Sequence, residues 1–192
     1  MSTTIPASAY ILIGGKSLRF GSPKWQAEIQ KKSVLNIIWN ACNIFENRYV
    51  VGKENPSQLN KPFIRDELSI NAPINGLYSA LNHSKTDWIY LLSCDLPLMT
   101  SHILKSIWDS KKDESDVIIP IANKKTQTTC GLYNKRILPI LEDEIQNNSY
   151  SIYKLLEKTK RQHIHFGNNI HFTNMNTLDD YQFIQSYILK QL

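Results

Sequence analysis

The stretch ILIGGKSLRFGSPK, residues 11 to 24, sets two glycines ahead of an arginine, a third glycine and a lysine. Glycine lets a backbone turn tightly and approach a ligand with no Cβ in the way. Successive N–H groups in such a loop form an anion cradle. Arg19 offers a planar fork for phosphate oxygens and Lys24 a mobile point charge. Together they suit a polyphosphate better than a lone carboxylate. A strand-to-loop turn with two solvated cations explains Gly14-Gly15 alone equally well. Two common phosphate motifs are absent. Gly15-Lys16-Ser17 has Tyr10 where the P-loop needs its upstream glycine, Gly52-Lys53 runs into Glu54, and no G-x-G-x-x-G occurs.

Asp95 directly follows the apolar run WIYLLSC, residues 88 to 94. A carboxylate at the end of a buried strand is costly without a partner. Mg²⁺ would supply one, since it takes one or two carboxylates together with phosphate oxygens and water. A helix cap or a surface aspartate is the competing reading. Asp66 follows another short apolar run and is a second candidate, against a salt bridge or turn role. Asn174 and Asn176 alternate by two, so on an extended segment both amides point the same way. They could recognise a second substrate or cap a turn. His163 and His165 share that spacing but lack a third ligand at convincing distance, which favours a polar strand face. Ser17 has no His/Asp partner in a hydrolase-type motif. The four tryptophans read as packing.

Elements able to position these residues alternate along the chain. Short apolar runs at residues 9 to 13, 48 to 52, 62 to 64, 88 to 94, 116 to 121 and 127 to 133 read as strands, with HIHF (163 to 166) and HFTN (171 to 174) as two more. Ser33 caps a predicted helix through Phe45, and Pro73 starts another. Thr100 or Ser101 caps a third, and further helices are expected at 135 to 146, 151 to 160 and 178 to 189. This βα alternation predicts an α/β fold with a mostly parallel central sheet covered on both faces, in which ligands bind at the carboxyl ends of strands. The glycine loop and Asp95 both fall at such ends.

With 192 residues, one domain (1–192) is expected. A hydrophobic fraction of 42% with 20% charged residues argues against disorder. The net charge of +5 suits acidic substrates. Nucleic acid is disfavoured, because the basic residues are scattered and do not interleave with aromatics. Cys42, Cys94 and Cys130 lie far apart without a C-x-x-C, which disfavours structural zinc. No leader-like or membrane-spanning apolar segment is visible, so a reducing, cytoplasmic setting is expected, with no membrane partner.

The string Gly14-Gly15-Lys16-Ser17-Leu18-Arg19-Phe20-Gly21-Ser22-Pro23-Lys24 resembles the G-G-x-S-x-R-M-G-x-x-K signature of molybdenum cofactor guanylyltransferases, the MobA family. Ala72-Pro73-Ile74-Asn75-Gly76-Leu77 is similar to a degraded G-P-L-A-G-[IM], Cys94-Asp95-Leu96-Pro97 to C-D-x-P, and residues 172 to 177, FTNMNT, to F-x-N-x-N-T. The motifs occur in the family's order and span almost the whole chain. Ile13, Phe20 and Pro23 depart from the usual Ala, Met and Asp.

The resemblance implies a three-layer Rossmann-like nucleotidyltransferase fold. It also implies Mg²⁺-dependent transfer of GMP from GTP to molybdenum-bound molybdopterin, with pyrophosphate released. On that reading Arg19, Lys24 and Asp95 are catalytic and Asp95 holds the metal. Leu12, Ile13, Gly14, Gly15, Ser17, Arg19, Lys24, Asp66 and Asp95 contact the nucleotide, and Asn174 and Asn176 meet the pterin. Contacts with cofactor-inserting proteins would be transient. A cytidylyl or sugar-1-phosphate nucleotidylyltransferase, and a non-catalytic nucleotide- or RNA-binding protein, are the alternatives. Gly-Gly at the loop start matches the guanylyl branch.

Overall fold

The computed structural model describes residues 4–14 and 23–191. Its centre is a strand pair that the apolar runs dictate. Strand β1 (Ile5–Leu12) lies between β4 (Phe45–Gly52) and β6 (Trp88–Ser93), parallel to both. The side chains of β1 and β6 alternate between two buried faces. Tyr10, Leu12, Ile89 and Leu91 enter one core, while Ala9, Ile11, Tyr90 and Leu92 enter the other. Burial on both faces is why these strands read as continuous apolar runs rather than as polar–apolar alternation.

Outward from the centre, β5 (Phe63–Arg65) pairs with β4, and β9 (Cys130–Asn134) pairs with β6. Beyond β9 come β7 (Val117–Ala122) and then the edge strand β10 (Arg161–Gly167), giving the order β10-β7-β9-β6-β1-β4-β5. Strand β9 runs antiparallel to both of its neighbours. Gly131 sits in that strand, where a Cβ would lie 2.7 Å from the Ile118 carbonyl oxygen, so the sheet closes there only around a glycine.

One face is covered by α2 (Pro73–His83), α4 (Leu138–Gln146) and α5 (Ile152–Glu157), which contribute Ile74, Leu77, Leu141 and Leu155 to the first core. The other face is covered by α1 (Val34–Ala41), α3 (Ser101–Asp109) and α6 (Leu178–Leu189), through Ile38, Leu104 and Ile184. Each fully buried aliphatic side chain contributes about 1.5–3 kcal/mol. The expected three-layer α/β architecture is therefore present, with a mostly parallel sheet.

Local expectations fare unevenly. Ser33 caps α1 and Thr100 caps α3, as their hydroxyls accept from the Asn36 and Ile103 N–H groups. Pro73 opens α2 in its first turn. Helix α1, however, stops at Ala41, and Phe45 begins β4. HFTN is not a strand: Ile170–Phe172 forms a 3₁₀ turn, whose N-terminal Asn169 side chain accepts from the His171 N–H. Two small features went unread, the hairpin of β2 (Glu28–Ile29) with β3 (Lys32–Ser33) and the short β8 (Lys125–Thr126) on β7.

Candidate active site

The chain order reverses across β1. The connection through α1 leads to β4 on one side, while β6 returns on the other, so a crevice opens beyond their carboxyl ends. Backbone hydrogen bonds lock those ends together: Ile13 N–H to Val51 O at 3.0 Å, Cys94 N–H to Leu12 O at 3.0 Å, and Asp66 N–H to Gly52 O at 2.8 Å. Residues 14, 66 and 95 thereby emerge on one rim, although they are far apart in sequence.

A cavity of about 730 Å³ lies on this rim. Leu12, Ile13 and Gly14 form its floor with Val51 and Gly52, and Pro23, Trp25, Asp66, Ala72, Pro73, Gly76 and Ser93 are in its wall. The volume is in the range of small-molecule and cofactor sites. A Cβ at Gly76 would lie 2.5 Å from Leu12 Cδ2, so the Leu12 side chain would have to move to admit a larger residue there. Gly14 is different. It is exposed, its φ is not positive, and a Cβ would meet no atom of the described residues within 4 Å. Packing against the described residues therefore places no demand for glycine there. Trp25 both packs against the core and lines the cavity, which the packing-only expectation for the tryptophans did not include.

Asp95 lies two residues past Ser93. Its Oδ2 accepts from Asn174 Nδ2 at 3.0 Å, and its backbone carbonyl accepts from Met175 N–H at 2.8 Å. Its Oδ1 is buried and has no hydrogen-bond partner among the described residues. Lys24 Nζ donates to Asn176 Oδ1 at 2.6 Å. The two asparagines thus reach the two expected catalytic groups, one each, and both amides do face the same site. An oriented carboxylate with one orphaned, buried oxygen fits a divalent cation, which would satisfy it. Among the described residues, no group of three or more His, Cys, Asp or Glu side chains is placed to hold a metal, so substrate oxygens and water would have to complete the coordination. Cys94 is no nucleophile: burial and then the adjacent Asp95 charge push its thiol up to about 12, with Lys24 pulling the other way.

Asp66 also has a buried Oδ1 without a partner. Burial raises its carboxyl above the ordinary value, with Lys53 opposing the shift. The loop after it is held by Asn75, which is 1% exposed. Asn75 Oδ1 accepts from Leu68 N–H at 3.0 Å, and its Nδ2 donates to the Leu68 and Ile70 carbonyls. Ser79 Oγ takes the Glu67 N–H at 2.9 Å. Asn75 stands where the G-P-L-A-G pattern has its alanine, and here it staples a cavity wall. The legible signal was a polar residue inside the apolar face of a short helix.

Gly15, Ser17 and Arg19 lie outside the described residues. His163 and His165 are exposed on edge strand β10, away from this rim. Cys42, Cys94 and Cys130 are buried free thiols. No helix among the described residues is long and apolar enough to cross a membrane.

Comparison with known proteins bears on the same elements. Residues 9–164 match the model of the MobA-like NTP transferase domain. The chain is 34% identical over 178 residues to a probable molybdenum cofactor guanylyltransferase of Aquifex aeolicus, covering 90% of this chain and 87% of that one. It is 31% identical over 177 residues to a protein of the same name from Flavobacterium johnsoniae, covering 90% and 93%. Among solved structures, the molybdopterin-guanine dinucleotide biosynthesis protein A of Archaeoglobus fulgidus superposes with a TM-score of 0.81 at 20% identity, over 95% of this chain and 99% of that one.

Proposed function

The chain belongs to the MobA-like NTP transferase family, and from that premise we propose that it transfers GMP from GTP to molybdenum-bound molybdopterin, as a single domain in the cytoplasm. The observation that carries the reading is that Asn176 and Asn174 hold Lys24 and Asp95, while Pro23 and Ser93, one and two residues before them, line the cavity. The buried free thiols favour a reducing compartment.

In the proposed reaction the terminal phosphate of the pterin attacks the α-phosphorus of GTP in line. The new P–O bond forms as the bond to the β-phosphate oxygen breaks, and pyrophosphate leaves. No covalent nucleophile is needed, so positioning and charge neutralisation supply the rate. Leu12, Ile13, Gly14 and Gly15 hold the base and ribose, largely by backbone, with Asp66 in the wall beside them. Ser17 and the loop N–H groups cradle the triphosphate. Lys24 neutralises charge near the α- and β-phosphates, and Arg19 holds the departing pyrophosphate. Asp95 is the residue that would hold Mg²⁺, which supplies a Lewis acid for the phosphate oxygens. Asn174 and Asn176, which hold Asp95 and Lys24, would meet the pterin. Cofactor-inserting proteins would make only transient contacts.

The deciding assay is pyrophosphate release with GTP, CTP, ATP or UTP, each with Mg²⁺ and molybdopterin. Release with GTP well above the other three is the expected result. Nucleotide binding without release would leave a non-catalytic binder, and CTP use equal to or above GTP use would overturn the guanylyl assignment.

A further inference from the structure

Lys24 and Asp95, two of the charged groups of the site, form no ion pair with each other among the described residues. The ammonium of Lys24 goes to the amide oxygen of Asn176 at 2.6 Å, while Asp95 Oδ1 stays buried without a partner among those residues. A carboxylate is the stronger acceptor for an ammonium, because both partners are charged. The segment from Asn174 to Asn176 touches both.

Its attachments are specific. Asn174 Nδ2 occupies Asp95 Oδ2, and Met175 N–H binds the Asp95 carbonyl, with the Met175 side chain fully buried. One residue on, the Asn176 N–H donates to Asp180 Oδ2 at 2.8 Å. The same oxygen takes the Thr177 N–H, and Thr177 Oγ1 accepts from the Asp180 N–H, closing a capping box at the start of α6. The Asn176 backbone is thus fixed between an anchored carboxylate loop and an anchored helix start. Its side chain is exposed, and among the described residues the hydrogen bond it makes is the one from Lys24.

We propose that Asn176 is a positioning residue: it holds Lys24 off Asp95 and so keeps Asp95 Oδ1 open to a divalent cation. The inference rests on reading Asp95 as the cation ligand. A neutral amide suits the task. It accepts from the ammonium without cancelling its charge, so Lys24 remains a full cation for an arriving phosphate. An aspartate in its place would bind Lys24 more tightly and add a competing metal ligand. Without the amide oxygen, the freed ammonium turns to Asp95 Oδ1, and the cation must then displace it.

The test uses the full chain and Mn²⁺ alone, followed by paramagnetic broadening of amide NMR signals in wild type, Asn176→Ala, Lys24→Ala and the double variant. Millimolar binding is measurable in this way, and the spectra themselves report whether each variant is folded. In wild type, broadening centred on residues 93 to 96 is expected. Asn176→Ala weakens the apparent Mn²⁺ affinity roughly fivefold, as one partly exposed ion pair allows. In the Lys24→Ala background the same substitution has no effect, so the double variant recovers. A side chain with a merely structural or direct metal-binding role would lower affinity whether or not Lys24 is present, and that outcome overturns the proposal. Equal affinity in wild type and Asn176→Ala overturns it while leaving Asp95 as the cation ligand. Absence of broadening near Asp95 in wild type overturns both.

Discussion

Asp66 and Asp95 each follow a parallel strand at the same end of the sheet, and each buries an Oδ1 that no described residue satisfies. They differ in what holds them. Asp95 is gripped at its second carboxylate oxygen and at its backbone carbonyl by Asn174 and Met175. The Asp66 carboxylate accepts no hydrogen bond among the described residues, and burial is the main influence on it. An unpaired buried oxygen is costly in either place. Only a carboxylate whose orientation is fixed can present that oxygen to one point in space. On the proposed reading, the Asp95 corner would do the chemistry and the Asp66 wall would contact what fills the cavity.

The sharpest way to break this comparison is Asp95→Asn. Loss of a metal ligand costs several kcal/mol of transition-state stabilisation, so kcat should fall at least about 10³-fold with little change in Tm. Wild-type turnover in a well-folded variant would erase the distinction. Lys24→Ala belongs to the same corner. Removing one charge-stabilising donor should lower kcat/KM by roughly 10²-fold. A lost melting transition with specific activity retained in the folded fraction would mark Lys24 as structural.

On the cavity side the effects should be smaller and fall on nucleotide choice. Gly14→Ala puts a methyl where no atom of the described residues lies within 4 Å, so Tm should not move. Preference for GTP over CTP should drop by about 1–3 kcal/mol, read as the ratio of the two kcat/KM values. If the ratio is unchanged, the base does not pass over Gly14.

Asp66→Asn should have the smallest effect, and its sign depends on pH. Burial holds the Asp66 carboxyl above its ordinary value of 3.8. The folded chain therefore keeps that proton to higher pH than the unfolded chain does. The stability this proton confers is fully present below the unfolded value and is lost as pH rises through the folded value. The asparagine variant escapes that loss. Its Tm should match wild type near pH 3.5 and exceed it by at most about 2–4 °C at neutral pH, where KM for the nucleotide should also rise a few-fold. A Tm advantage that shrinks with rising pH would mean that Lys53, and not burial, governs Asp66.

Much of this architecture could be read before any coordinates. The runs behind β1 and β6 are predominantly apolar because both faces are covered, and the same feature marked Asp95 as a carboxylate at a costly place. Pro73, Thr100 and the 178 to 189 helix were legible because helix starts depend on local chemistry. The β2–β3 hairpin was not, because its turn uses Gln30 and Lys31 at φ 50° and 62°, and neither residue signals a left-handed backbone. HFTN reads as a strand by residue type, but no neighbouring strand is available to pair with it. Asn75 did not stand out because its value lies in three hydrogen bonds to a loop that precedes it by five to seven residues.

By itself, then, the sequence determined the long central strands, most helix starts and the residue types gathered at the strand ends, because periodicity, capping and burial act over a few residues. Tertiary structure alone decided who meets whom. Asn174 finds Asp95 across 79 residues and Asn176 finds Lys24 across 152. The two-residue alternation of the asparagines showed that both amides would face one way. What stood opposite them depended on the order of strands in the sheet and on the helix cap that fixes Asn176, and no local pattern encodes either.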